Sequence, residues 1–196
     1  KPTPIALHLK PGRLTMTQSS VSDMVNQSRE ILAKRDTATF ETYENKGGIR
    51  EALIYMAIAA AITGVFGLGD GLAGFLRGVT GALVGFFVFT YLVYFIGKGQ
   101  GGTGTFDQVA YSFALFYAPL TVLFAALSLV LLITIVGILL IPFVGILAIV
   151  ANIYFAYLAV QSSMNLTDTG KVWITLILAG LGSFVVSWLL GAFLSF

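Results

Sequence analysis

The sequence predicts an all-α integral membrane protein, a bundle of five transmembrane helices with a short cytoplasmic N-terminal segment. The 196 residues are 57% hydrophobic and only 10% charged, whereas a soluble domain carries about 25% charged residues. Of the 20 charges, 14 lie within residues 1–51, and the 60 residues 108–167 contain none. Because a helix rises ~1.5 Å per residue and the hydrocarbon core is ~30 Å thick, that stretch crosses a membrane about twice.

The polar N-terminal segment covers residues 1–50 and precedes a membrane domain predicted for residues 51–196. Residues 1–18 contain three prolines and no apolar period, which indicates disorder. Residues 20–34 show a weak amphipathic helical pattern. This pattern fits two arrangements equally well, a helix lying on the membrane surface and a short solvated helix docked on the bundle.

The membrane domain divides into five apolar runs separated by polar or glycine-rich segments. The predicted spans are residues 52–68, residues 72–96, a third ending near Ile135, a fourth ending near Ser163, and residues 172–193.

The connections between the spans carry local signals for helix ends. Thr105 and Gln108 have the spacing of a capping box at the start of the third span, and Asp107 suits the positive end of that helix. Gly137, Pro142 and Gly145 are predicted to mark the turn into the fourth span. The polar residues 165–171 precede the fifth span, which Thr167 or Thr169 can cap.

The basic residues predict the orientation, because loops on the cytoplasmic side of a membrane are enriched in Lys and Arg. With the N-terminus inside, the inner segments carry ten Lys and Arg residues and the outer segments carry only Arg77. Five spans then place the C-terminus on the extracytoplasmic side.

Five glycines of the second span recur at intervals of three and four residues and so share one helix face: Gly71, Gly74, Gly78, Gly81 and Gly85. In lipid, such small residues let neighbouring helix backbones approach closely. We expect this face to pack against another helix of the same chain, with packing between chains as the alternative.

Two other motifs suggest chemistry that the rest of the sequence does not support. The run 97–102 has the form G-x-G-x-x-G, but it joins two membrane helices and not a strand and a helix, so we expect no nucleotide cofactor. Gly67-Leu-Gly-Asp70 resembles an intramembrane aspartyl protease motif, yet no second membrane Asp is present to share the site. The chain has no Cys and a single His, His8. We therefore predict no enzyme, no cofactor and no metal site.

Arg77 and Asn152 are the polar side chains within the spans that are functional candidates, since polar residues are costly in a membrane. Arg77 lies near the outer end of its span, where it could instead reach water. Asn152 lies deep in the fourth span, where a helix–helix hydrogen bond and a substrate contact are the two alternatives.

The chain resembles the Yip1-domain family over about residues 31–188. The resemblance begins with the polar lead-in Phe40-Glu-Thr-Tyr-Glu-Asn-Lys-Gly-Gly48. Its most specific residues lie in the loop before the third span and in that span: Gly101, Gly102, Gly104, Phe106, Tyr111, Tyr117 and Pro119.

The resemblance implies five spans, a cytoplasmic N-terminus, an extracytoplasmic C-terminus and no established catalytic residues. Eukaryotic relatives bind Rab-type GTPases and carry an Asp-Leu-Tyr-Gly-Pro motif. That motif is missing here, which speaks against a GTPase partner and points to the bacterial and archaeal members. The implied location is therefore the cell membrane of a prokaryote.

We expect a non-enzymatic membrane scaffold or adaptor, or an accessory subunit of a larger membrane complex. A small transporter or channel is the alternative. The expected partners are membrane lipid, other membrane proteins or a second copy of the chain, and no nucleic acid, since the net charge is only +2. A polar cavity around Arg77, Asn152 and the tyrosines would favour transport.

Overall fold

The computed structural model describes residues 19–194, which are helical and contain no strand. The prediction of disorder for residues 1–18 lies outside the described residues. The helices are α1 Val21–Lys34, α2 Thr37–Tyr43, α3 Ile49–Gly64, α4 Gly71–Gly99, α5 Phe106–Leu132, α6 Ile135–Ser163 and α7 Thr169–Leu194, with a 3-10 segment Val65–Asp70 between α3 and α4.

Four helical segments within the described residues are long and apolar enough to cross a membrane: Ile49–Gly99, Phe106–Leu132, Ile135–Ser163 and Thr169–Leu189. The protein is therefore a multi-pass membrane protein. The first segment has 51 residues, far more than the ~20 that a single helical crossing needs.

The segment Ile49–Gly99 folds back on itself at the 3-10 turn. A Cβ atom built on Gly64, at the end of α3, would lie 2.8 Å from Cγ2 of Val79 in α4. A Cβ on Gly67 would lie 2.7 Å from the carbonyl oxygen of Gly74, and Gly71 has a φ of +72°. Glycine is needed here because both the positive φ and the backbone contact exclude a side chain.

Of the three residues predicted to mark the turn into the fourth span, Gly137 lies in the first turn of α6, next to the observed turn, whereas the prediction is wrong for Pro142 and Gly145, which lie well inside that helix. The chain reverses earlier, at Ile133 and Thr134, and the Thr134 hydroxyl accepts a hydrogen bond from the Gly137 amide at 2.9 Å. Proline and glycine are poor markers of turns here, because both are tolerated within membrane helices.

The core lies at the end of the bundle that carries α1 and α2, which we call the polar end. The first half of α5 is almost fully buried there, and α5 packs on α3, α4 and α6. Met24 and Ile31 of α1 and Phe40 of α2 belong to the same buried cluster. Of the two arrangements considered for residues 20–34, the structure has the helix docked on the bundle.

Candidate functional site

Hydrogen bonds between side chains tie α1 to the membrane helices at the polar end. The Tyr111 hydroxyl, fully buried in α5, donates to Oε1 of Gln27 at 2.8 Å. Ser28 and Tyr55 share a second buried hydrogen bond at 3.1 Å. The family resemblance names Tyr111 as a candidate functional residue. It does not name Gln27, and an isolated glutamine in a polar segment cannot be recognised as a partner from one sequence.

Glu44 is a buried carboxylate at the junction of α2, α5 and α6. Its Oε2 accepts a hydrogen bond from the Ser162 hydroxyl at 2.6 Å, and its Oε1 accepts one from Nε2 of Gln108 at 3.4 Å. Only 6% of Glu44 is exposed. Burial raises the pKa of this carboxyl above its ordinary value, against the opposing effect of the Ser162 hydrogen bond.

The start of α5 is closed by the predicted capping box, which the structure confirms. Thr105 Oγ1 accepts from the Gln108 amide at 3.3 Å, and Gln108 Oε1 accepts from the Thr105 amide at 2.7 Å. Asp107 has a role that the sequence did not indicate. Its Oδ1 accepts from the amide of Ile49 at 2.9 Å, so it caps α3 from the start of α5.

The glycine-rich loop before α5 packs against the end of α6. A Cβ on Gly102 would lie 2.6 Å from Cε of Met164, and a Cβ on Gly104 would overlap the carbonyl oxygen of Ser163. The Thr103 amide donates to the carbonyl of Met164 at 3.0 Å. This loop, which is the connection between α4 and α5, is therefore held against the connection between α6 and α7.

Lys98 and Gly101 complete the loop. The Lys98 ammonium donates to the carbonyl of Thr103 at 3.1 Å and lies 5.8 Å from the centroid of the Tyr94 ring. Gly101 has a φ of +94°, a conformation that other residues rarely adopt. The lysine of the G-x-G-x-x-G run therefore stabilises the loop that follows it.

The other family residues contribute aromatic packing and a proline within α5. Phe106 packs its ring against Phe87, Tyr91 and Tyr94 of α4, with ring centroids 5.7 to 5.9 Å apart. Pro119 lies inside α5 and supplies no backbone N–H donor.

The five glycines of α4 do not act as one packing face within the chain. Gly71 and Gly74 build the turn to α3, and a Cβ on Gly78 would reach only Cα of Gly64, at 3.9 Å. A Cβ on Gly81 or Gly85 would meet no atom within 4 Å. Among residues 19–194, no atom of another helix therefore occupies the space that a side chain at these two positions would take, and the role of the glycine face in packing stays a prediction. Their periodicity puts them on one face but does not determine what lies opposite.

Arg77 and Asn152 lie in different parts of the molecule. Arg77 is exposed on α4 near the turn to α3, and the part of the chain that the structure describes gives it no ion pair. The Asn152 amide donates to the carbonyl of Ala148 in its own helix at 2.8 Å. Its Oδ1 is buried and has no hydrogen-bond partner among residues 19–194. The predicted helix–helix hydrogen bond of Asn152 is therefore absent from the described residues.

A cavity of about 570 Å³ lies between α4, α5, α6 and α7. It brings together three of the predicted residues, Gly85, Tyr117 and Asn152, and excludes Arg77. The sequence did not indicate its aromatic walls, which are formed by Phe86, Phe89, Phe113, Phe116, Tyr117 and Trp173. The reason is that these aromatic residues come from α4, α5 and α7, which are distant from one another in the chain.

The part of the chain that the structure describes offers packing surfaces and an apolar cavity. Its lining within the described residues is apolar apart from the Asn152 amide, the Tyr117 phenol and the indole N–H of Trp173, and it contains no charged residue. Within residues 19–194, no group of three or more His, Asp or Glu side chains could hold a metal ion.

Comparison with known proteins shows that the chain is similar to a known family. The family model of the Yip1 domain matches residues 30–189, which is most of the chain. No curated protein and no solved structure matches the chain significantly.

Proposed function

We propose that this chain, which belongs to the Yip1 domain family, is a non-enzymatic scaffold or adaptor within a membrane. In this proposal it presents an open helix surface to a second membrane protein or a second copy of itself. An accessory subunit of a larger membrane complex is a variant of the same function. The polar end, with α1 and α2, faces the cytoplasm of a prokaryotic cell.

One observation carries the proposal: on the glycine face of α4, a side chain at the exposed Gly81 would meet no atom of the described residues within 4 Å. Gly78 and Gly81 are exposed, and a side chain on Gly81 would enter open space. In lipid, where hydrophobic burial does not drive helices together, a glycine surface is useful because another backbone can approach it.

The polar side chains at the polar end support the same proposal. Glu44, Asp107, Gln108 and Tyr111 form hydrogen bonds that hold helices together. A polar end whose helices are held together in this way suits a protein that positions partners. The polar side chains bind one another there and so are not available to bind a substrate.

A five-span topology with the N-terminus inside is part of the proposal. The fold-back of Ile49–Gly99 supports two crossings, which together with the other three segments make five. The ten-to-one distribution of basic residues supports the orientation.

The alternative, a small transporter or channel, has less support from the cavity. Its walls carry one amide, one phenol and one indole N–H among apolar groups. Such walls cannot replace the hydration of an ion or a strongly polar solute.

The test is purification of the full chain in mild detergent, with its size and co-purifying proteins compared between the wild type and Gly81→Leu. We expect the wild type to form an oligomer or to retain a membrane partner, and the variant to lose it while remaining folded. Thr80→Leu is the matched control, because Thr80 is an exposed neighbour on α4 outside the glycine face. A monomeric wild type without a partner, or an unchanged assembly in Gly81→Leu, would contradict the proposal.

A further inference from the structure

The cavity between α4, α5, α6 and α7 opens toward the surrounding lipid. Ile153 of α6 and Ile177 of α7 line it and are themselves about half exposed, at 45% and 56%. No charged residue of the described chain lines it. Its occupant is therefore a molecule of the membrane whose inserted part is hydrocarbon, because walls of this kind cannot compensate a buried charge.

The cavity extends from near the polar end of the bundle to the middle of the membrane helices. Trp173 lies four residues after the start of α7 at Thr169, and Gly85 lies fourteen residues before the end of α4 at Gly99. At ~1.5 Å per residue, these positions are ~6 Å and ~21 Å from the helix ends. The difference of ~15 Å is half the thickness of a ~30 Å hydrocarbon core. The cavity therefore spans about one leaflet, on the side of the polar end.

The volume of the cavity distinguishes a lipid chain from a helix of another protein. The cavity holds about 570 Å³. A helix ~10 Å across would need ~1,200 Å³ to fill the same depth, about twice the space available. An acyl chain is much thinner than a helix, and the rings of Phe86, Phe113 and Phe116 give it apolar walls. The space therefore fits a single hydrocarbon chain.

The indole N–H of Trp173 is a hydrogen-bond donor in the lining at the end of the cavity nearest the membrane surface. It has no hydrogen-bond partner among the described residues, and its ring lies 5.5 Å from that of Tyr157 between centroids. Tryptophan is enriched at this level of a membrane because its ring is apolar and its N–H needs a polar partner. The ester carbonyls of a glycerolipid are neutral acceptors at the same level.

The other two polar groups of the lining do not select the occupant. Oδ1 of Asn152 has essentially no accessible surface, and Nδ2 donates to the Ala148 carbonyl of the same helix. The Tyr117 phenol lies eleven residues into α5, ~16 Å along the helix and therefore deeper than the ester groups of a lipid. Its ring stacks on Phe86 with centroids 6.3 Å apart and so forms part of the apolar wall.

We propose that this cavity binds one acyl chain of a glycerolipid from the leaflet at the polar end, and that an ester carbonyl of the lipid accepts a hydrogen bond from the Trp173 indole N–H. The chain runs toward Gly85 and Gly180, where a Cβ built on either would meet no atom within 4 Å. The headgroup stays outside the cavity. The site is separate from the exposed glycine surface at Gly78 and Gly81, so it does not depend on the scaffold function.

The experiment uses the full chain in mild detergent and a phosphatidylcholine that carries a photoreactive group on one acyl chain. The diether lipid with the same chains and headgroup is the probe that lacks the carbonyls. We expect saturable labelling of peptides from α4 to α7 by both probes. The diether should bind about fivefold more weakly, the equivalent of ~1 kcal/mol for one hydrogen bond.

Trp173→Phe tests the donor, because it keeps an aromatic ring and removes the N–H. It should lower the affinity for the ester lipid about fivefold, to that of the diether, and leave the affinity for the diether unchanged. Trp188→Phe is the matched control, since Trp188 lies on the same helix, is 66% exposed and does not line the cavity. Tyr117→Phe should leave the binding of both probes unchanged.

The glycines test the hydrocarbon part of the site. Gly85→Leu with Gly180→Leu should abolish labelling by both probes, and the graded pair Gly85→Ala with Gly180→Ala should weaken it if the larger variant fails to fold. Gly145→Leu is the matched control, because Gly145 is exposed on α6, has no neighbour within 4 Å and does not line the cavity.

Four results would overturn the proposal. Labelling that does not saturate, or that is undiminished in the folded alanine pair, would mean that lipid contacts only the outer surface of the bundle. Equal binding of ester and diether lipid would mean that no carbonyl is recognised. Preference for the ester that survives Trp173→Phe would exclude the indole as the donor. Preference that is lost in Tyr117→Phe instead would place the polar contact deeper in the membrane.

Discussion

Glu44 shows how one buried side chain connects three helices at the polar end. Two of its hydrogen bonds come from donors on other helices, the Ser162 hydroxyl and the Gln108 amide, and a third comes from Nδ2 of the adjacent Asn45 at 3.5 Å. These bonds stabilise the carboxylate, whereas burial destabilises it, and burial has the larger effect on its pKa. The side chain therefore supplies necessary acceptors while its charge opposes folding.

Glu44→Gln should raise the melting temperature near neutral pH, with a gain that shrinks as the pH falls. The folded-state pKa of Glu44 lies above its ordinary value of 4.5. The wild type therefore loses stability as the pH rises from about 4.5 through the folded-state pKa. Gln cannot ionise and avoids that loss. Thermal unfolding in detergent between pH 4.5 and 8 measures the difference.

Glu44→Ala separates the charge from the hydrogen bonds. It removes the acceptor of the buried Ser162 hydroxyl, so it should destabilise the protein by about 1–3 kcal/mol. If Glu44→Gln were instead less stable than the wild type at pH 8, the carboxylate charge would be favourable and our account of Glu44 would fail.

Neither Glu44 nor Asn152 could be assigned fully from the sequence. Glu44 and Ser162 are 118 positions apart, and no local pattern relates them. Asn152 was recognisable as polar and deep in a span, but its bond to Ala148 depends on the rotamer it adopts. Residue type indicates which groups need partners, and the packing of helices determines which partners they find.

Helix starts were more predictable than helix partners, because a capping box uses residues within one turn. The Thr105 box is an example: its spacing alone indicated the start of α5. The glycine repeat of α4 likewise indicated a shared face. The two ends of that face have different surroundings: Gly74 packs in the turn to α3, whereas a side chain at Gly81 would enter open space. The repeat does not determine these surroundings, which depend on where α3 ends.

Thr105→Val should destabilise the chain by about 1 kcal/mol, the usual cost of losing a helix N-cap. The loop around it packs against α6, so the altered helix start should loosen both connections at the polar end. Thr105→Ser keeps the hydroxyl and should melt close to the wild type. Thermal unfolding of the three proteins in one detergent checks the order.

The same melting experiment tests whether the glycine loop binds nucleotide. We expect no shift with ATP, GTP or NAD, because Lys98 already donates to the loop carbonyl of Thr103. A nucleotide at a hundredfold excess over its dissociation constant would add ~2.7 kcal/mol. A saturable shift that Lys98→Ala abolishes would show that the loop is a nucleotide site after all.

At the scale of the whole molecule, the buried core lies at the same end of the bundle as most of the charges. Most charges lie in the first 51 residues, and α1 and α2 bury their apolar faces on the membrane helices. The opposite end exposes large apolar residues such as Ile133 and Ile135. Composition was sufficient to predict a membrane bundle. The docking of α1 could not be predicted in this way, because it depends on the residues of the membrane helices against which α1 packs.

Single cysteines test the proposed five-span topology directly, because the chain contains no Cys that could react in the background. Lys46→Cys, Lys98→Cys and Lys171→Cys should be labelled by a membrane-impermeant thiol reagent only when the cytoplasmic face is accessible. A cysteine added after Phe196 should be labelled from outside. Lys98→Cys is decisive, since it follows the second proposed crossing: if Ile49–Gly99 crossed once, Lys98 and Lys46 would react from opposite sides. Labelling of Lys98→Cys from outside would therefore refute the five-span topology.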